Sequence, residues 1–191
     1  YINTTSGELF ICTDATAGEN IWKGQLGTTV QPVKYFGGRG IWSGGYTGAI
    51  TDKMDYITVA SLGNSSDFGN LTRARELSSE GPSSGVRGTA PGGAEDSGMT
   101  EIDYWTFASL GNATDFGNLT VGRHQTSGMS NGTRGVMGGG YDGGRSDTID
   151  YITIAATGNA TDFGNMTVGR SGVTGCSSDP GRGIIWGGYE A

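Results

Sequence analysis

The stretch "TGNATDFGNMTVGR", residues 157–170, decides how the rest of the chain is read. Near-copies stand at residues 111–123, "GNATDFGNLTVGR", and at residues 63–75, "GNSSDFGNLTRAR". Anchored on the Asp-Phe-Gly triplet, Asp67, Asp115 and Asp162 are 48 and 47 residues apart, and the same steps separate Asp55-Tyr56, Asp103-Tyr104 and Asp150-Tyr151. Arg39, Arg87, Arg134 and Arg182 keep the spacing, as do the pairs Gly44-Gly45, Gly92-Gly93, Gly139-Gly140 and Gly187-Gly188. A period near 48 belongs to β-propeller blades and solenoid units rather than to ordinary domains.

Inside one unit every element reads as a strand. "RGVMGGGY" and "TIDYITIAA" are short runs of β-branched, aromatic and small residues bounded by Gly, Asn, Asp and Ser, which make turns. "ATDFGNMTV" and "RSGVTGCSS" follow suit, and no window carries a helical period. The expectation is all-β, with four strands per unit. In "IDYITIAA" apolar residues fall on both parities, so the strand is buried on both faces, as a blade between two blades would be. The glycine pairs mark places where backbones approach closely.

Composition agrees with a folded, turn-rich chain. Glycine supplies 38 of 191 residues, about three times its usual share, without a collagen period of three. The 18 aromatic residues are too many and too evenly spread for disorder. Net charge is −7, and the 12 basic residues are scattered rather than clustered. That pattern argues against a nucleic-acid partner. No apolar run approaches the roughly 20 residues of a membrane span, so membrane insertion is not expected. The sequence opens on Tyr1 rather than Met, which fits a processed chain or part of a longer one. Cys12 and Cys176 are expected as free thiols or as one bridge; with a single histidine they cannot make a four-ligand zinc site.

The two ends are expected to carry complementary halves of a unit. Tyr56 to Phe68, Tyr104 to Phe116 and Tyr151 to Phe163 each span 12 residues, and so does Phe10 to Trp22 in "GELFICTDATAGENIWKG". That stretch reads as the third and fourth strands in disguise, while "GVTGCSSDPGRGIIWGGYEA" supplies the first and second. A quarter of 191 is 47.75, the observed period. The expectation is one repeat domain over 1–191. It comprises an N-terminal hairpin in 1–36, repeats at 37–84, 85–131 and 132–179, and a partial repeat at 180–191. Joining the halves would remove two exposed strand edges, within one molecule or by exchange between copies.

"GRGIIWGGY" and "GVMGGGYDGGRSDTIDYITIA" together resemble kelch repeats. The resemblance implies a kelch-like β-propeller of about four four-stranded blades, the last closed by the N- and C-terminal hairpins. The chain departs from kelch in carrying Phe68, Phe116 and Phe163 where tryptophan is usual, and Ala94 where tyrosine is. "IDYITIAATGNATDFGN" with "NGTRGVMGGGYDGG" looks like the tandem repeats in structural proteins of marine phages, particularly those infecting cyanobacteria. That likeness implies a noncatalytic fibre, tail appendage or capsid decoration on the virion surface. Its partners would be other virion proteins, copies of itself, and host surface glycans. It brings no catalytic residue, and no cofactor is expected.

Each remaining motif has a plain structural reading beside a chemical one. The Asp-Phe-Gly triplet lacks the lysine strand and His-Arg-Asp loop of a kinase, so it reads as a packed phenylalanine beside a turn. Eight asparagines match the glycosylation sequon: Asn3, Asn64, Asn70, Asn112, Asn118, Asn131, Asn159 and Asn165. They read as turn residues in a phage protein. In a secreted eukaryotic chain Asn64, Asn112 and Asn159 would be glycan carriers. Asp142, Asp147 and Asp150 offer oxygen ligands without a fixed loop spacing. His124 is a lone base candidate, and the scattered glutamates form no pair that sequence can assign to glycoside hydrolysis. Trp42, Tyr46, Tyr141, Trp186 and Tyr189 are candidates for stacking on sugars at one mouth of a propeller. A carbohydrate-binding module or secreted fibre protein is thus the alternative reading, and a propeller glycoside hydrolase a more distant one.

Overall fold

The computed structural model describes residues 38–178 and 181–190, and of the N-terminal stretch the strands β1 (Phe10–Asp14), β2 (Ile21–Gly24) and β3 (Thr29–Val30). The chain divides into two compact units, residues 1–35 and 36–191.

In the first unit β1 pairs antiparallel with β2, and β2 with β3. The hairpin expected from Phe10 and Trp22 is present, with its own register. Phe10 lies opposite Gly24, whereas Tyr56 lies opposite Ser66. By the Tyr56–Ser66 spacing Phe10 would face residue 20, so the pairing is displaced by four residues, and the extra residue lies in β1, between Cys12 and Asp14, rather than in the strand of the second aromatic.

The second unit iterates one module. β4 (Arg39–Ser43), β5 (Lys53–Thr58) and β6 (Ser66–Asn70) form the first sheet; β7 (Arg87–Pro91), β8 (Glu101–Thr106) and β9 (Thr114–Asn118) form the second. The third has β10 (Ser127–Ser130), β11 (Arg134–Gly138), β12 (Thr148–Thr153) and β13 (Thr161–Asn165), in sequence order. All three are antiparallel meanders. Then β14 (Arg170–Ser171) pairs with β17 (Tyr189–Glu190), while β15 (Thr174–Ser178) and β16 (Arg182–Trp186) make the first half of another module.

Among the described residues the four-strand expectation holds in full only for the third module; the leading-strand positions of the first lie outside them. In the second, the leading strand shrinks to an isolated bridge between Ser83 and Gly88. Pro82 sits beside it and has no N–H to donate to a ladder. The corresponding β10, "SGMS", contains no proline and pairs along its length.

The triplet phenylalanine is the extra residue of a β-bulge. Met54 faces Gly69 and Asp55 faces Asp67, which leaves Phe68 unpaired; the same shift recurs in the second and third modules. Bulging turns the ring toward the next module. Phe68, Met54 and Leu71 of the first module pack with Ala90, Trp105 and Ala113 of the second. Ile102, Phe116 and Leu119 of the second then pack with Met137, Ile152 and Ile154 of the third. Strand β8 serves both joints: Trp105 looks back to the first module and Ile102 forward to the third, as alternation along a strand dictates.

Candidate functional site

The polar groups that recur with the period are concentrated at the joints between modules. Arg75 has no exposed side-chain surface, and its Nη2 donates to Asp103 of the next module at 2.9 Å. Its Nη1 donates to the Gly92 carbonyl at 2.7 Å. Thr72 completes the carboxylate, its hydroxyl donating to one Asp103 oxygen at 2.6 Å and its amide to the other at 3.0 Å. Burial pushes the Arg75 pKa down, opposed chiefly by the Asp103 charge. The second joint repeats the set: Arg123 reaches Asp150 at 3.0 Å, and the Thr120 hydroxyl reaches it at 2.6 Å. A buried pair of this kind adds modestly to net stability, but removing one member strands the other's charge.

The glycine pairs hold the same arginines from within their own modules. Gly45, Gly93 and Gly140 donate their amides to the carbonyls of Arg75, Arg123 and Arg170 at 2.8, 3.1 and 2.8 Å. Their predecessors Gly44, Gly92 and Gly139 have φ near +69°, +61° and +70°. A Cβ on Gly92 would stand 2.2 Å from the Arg123 carbonyl oxygen. Glycine is required there for both the backbone angle and the close approach.

Four of the sequon asparagines, Asn70, Asn112, Asn118 and Asn159, are joint residues as well, whereas Asn131 is a turn residue whose Oδ1 accepts the Thr133 and Arg134 amides. The Asn112 Oδ1 accepts the Asn70 amide at 3.0 Å, and the Asn159 Oδ1 accepts the Asn118 amide at 3.1 Å. Backbone bonds flank them, with Gly111 and Ala113 donating to Phe68 and Asn70, and Gly158 and Ala160 to Phe116 and Asn118. In Asn70-Leu71-Thr72 each position works: asparagine at this contact, leucine in the core, threonine on Asp103. The recurrence of the sequon thus has a structural cause. Asn64, in the first module, is exposed.

The candidate aromatic residues fall into two sets. Tyr46, Tyr141 and Tyr189 occupy equivalent places after the glycine pairs and are exposed, with Ala94 at the fourth such place. The tryptophans do not join that row. Trp42, 60% exposed, stands where Ala90 and Met137 are buried in the joints, so it lies on a module face. Trp186 is one position further along its strand, next to Ile185, which corresponds to Ala90. Among the described residues no ring pairing joins any two of the five. Tyr141 stacks instead on His124, with centroids 5.4 Å apart. Burial holds the His124 pKa below its ordinary value, with Glu76 pulling the other way. Asp150 of the acidic loop is committed to Arg123, and Asp142 is exposed. Cys176 is a free, exposed thiol, whereas the Cys12 side chain lies outside the described residues, as do Asn3 and its sequon.

The last joint differs from the other two. Phe68 and Phe116 are 2% and 3% exposed, while Phe163 is 52% exposed. A groove of about 550 Å³ opens beside it, lined by Phe163, Met166 and Ile185 and by Arg134, Arg170 and Arg182 among others. The buried Nε of Arg170 makes no hydrogen bond, its approach to Glu190 being 3.6 Å. Sequence reasoning passed over the Arg75–Asp103 and Arg123–Asp150 pairs and this groove. The signal was there: Arg75, Arg123 and Arg170 recur at the steps of the period. No protein-family model matches the chain, and no curated protein is significantly similar to it.

Proposed function

We propose that this chain is a noncatalytic structural and adhesive component of a phage particle, a fibre, tail appendage or capsid decoration displayed outside it. Its repeats are those of a kelch-like β-propeller of about four blades, the last made from the C-terminal half-module and an N-terminal hairpin. The observation that supports this reading best is where the recurrent polar chemistry lies. Arg75, Asp103, Thr72 and Asn112, with their counterparts one period on, all join module to module. Such a body offers rigid spacing and varied loops, which suits display on a particle surface. The test is copurification with intact particles at symmetric copy number, read by native mass spectrometry. A soluble monomer found away from any particle would overturn the proposal.

A second reading, a carbohydrate-binding module, is favoured by one feature: the exposed Tyr46, Tyr141 and Tyr189 at equivalent places. Retention on a glycan array that is lost in Tyr46→Ala or Tyr189→Ala, with folding intact, would support it. Retention unchanged in both variants would remove the tyrosine row from consideration.

A further inference from the structure

The turn that joins β10 to β11 holds Asn131, a sequon asparagine that bonds within its own turn. Its amide donates to the Arg134 carbonyl at 3.2 Å, which leaves Gly132 and Thr133 as a two-residue hairpin loop. Gly132 takes a φ of +86°, a left-handed angle that such a loop reserves for glycine. The Asn131 Oδ1 accepts the Thr133 amide at 3.1 Å and the Arg134 amide at 2.8 Å. Those two bonds fold the side chain over its own main chain, toward the Gly132 nitrogen. The Gly132 N–H in turn points at the Ser130 hydroxyl oxygen, 3.1 Å away.

The turn one period earlier makes the same bonds without an asparagine. Ser84 donates its amide to the Arg87 carbonyl at 2.8 Å, and its hydroxyl accepts the Val86 and Arg87 amides at 3.2 and 3.0 Å. A hydroxyl is thus enough to build this hairpin, and what Asn131 adds is a carboxamide. Of the nine asparagines in the chain, Asn131 alone precedes a glycine. It alone offers its Cγ a following nitrogen whose residue has no side chain to block the approach. Two amide donors already sit on the oxygen that becomes negative when that nitrogen attacks.

We propose that Asn131 is a self-modification site, where the turn converts its own carboxamide to a carboxylate with water as the only co-reactant. The Gly132 nitrogen loses its proton to solvent and bonds to the Asn131 Cγ. The Cγ–Nδ2 bond breaks, Nδ2 takes up a proton and leaves as ammonia, and a cyclic imide remains. Water then opens the imide. Cleavage between Cγ and the Gly132 nitrogen yields aspartate. Cleavage between the Asn131 main-chain carbonyl carbon and that nitrogen yields isoaspartate, in which the backbone runs through Cβ and Cγ. Either product adds a negative charge to a chain of net charge −7, at an exposed tip and across the turn from Arg134. Isoaspartate also lengthens the backbone by a carbon, more than so tight a loop absorbs without loosening the end of the β10–β11 ladder.

The experiment follows the full chain, produced in bacteria so that the sequon at Asn131 stays unglycosylated. It is aged in heavy-oxygen water at neutral and at mildly alkaline pH and mapped by peptide mass spectrometry. Conversion at Asn131 should quicken as pH rises, take up solvent oxygen, and give isoaspartate as well as aspartate. Its rate should exceed that at Asn70, Asn112, Asn118 and Asn159 by about tenfold or more, because each of those is tied across a joint by a hydrogen bond. Asn131→Ser, which borrows the arrangement at Ser84, should keep the fold and never develop the new acidic band on isoelectric focusing. The same chain in urea isolates the part played by the turn: the folded chain should convert at least as fast as the unfolded one. Slower conversion when folded would overturn the proposal, since the turn would then protect the amide. Aspartate without isoaspartate would overturn the cyclic route, and an unchanged Asn131 in the aged folded chain would overturn the modification itself.

Discussion

The joint between the second and third modules and the open end beside Phe163 are built from the same residue positions, yet only one is finished. At the finished joint Phe116 is buried against Ile152 and Met137, Arg123 is closed by Asp150, and Asn118 is held by Asn159. At the open end Phe163 is half in solvent, and the Arg170 Nε is buried without a hydrogen bond. The same side chain is core or surface according to whether a following third and fourth strand is present. Burial here belongs to the pairing of modules and only secondarily to the residue.

That contrast can be broken residue by residue. The largest effect is expected for Asp103→Ala, which leaves the Arg75 charge buried without its partner. A loss of about 3–5 kcal/mol in denaturant unfolding is the prediction. Asp55→Ala, at the equivalent but exposed carboxylate, should change little. Next, Phe116→Ala should cost about 3–5 kcal/mol through the cavity it leaves. Phe163→Ala should cost less than about 1 kcal/mol, since half of that ring already meets water. Equal losses for the two would show that the Phe163 ring is covered in solution.

Smaller effects sharpen the comparison further. Asn112→Ala should cost about 1 kcal/mol by deleting one hydrogen bond across a joint, and Asn64→Ala close to nothing. The smallest concerns pH. Folding lowers the His124 pKa, so the unfolded chain binds that proton more readily. Stability should therefore fall as pH drops below the ordinary histidine value of about 6.5 and be flat above it. His124→Ser, the residue found at position 171, should remove that slope from a melting-temperature series.

The period, the strand content and the glycine pairs were legible because they are properties of one unit. Phe68 could be assigned to packing from its repetition alone. The Arg75–Asp103 pair was not legible in the same way, since equivalence of positions says nothing of which unlike positions meet across a joint. Arg75 and Asp103 are 28 residues apart and belong to different modules. Trp42, offered by the sequence as a sugar-stacking candidate at a propeller mouth, aligns with Ala90 and Met137 and so stands on a packing face. The turn reading holds for Asn131, while the contact of Asn112 and Asn159 with the preceding module needed coordinates.

The arginine–aspartate clasp has a consequence for how such a chain can change length. A duplicated stretch of one whole period carries in its own aspartate for the arginine before it and its own arginine for the aspartate after it. A partial copy that carried the arginine without the aspartate would leave an ion stranded in an apolar seam. Whole-module duplication avoids this, and a new member slots in with every existing contact already matched.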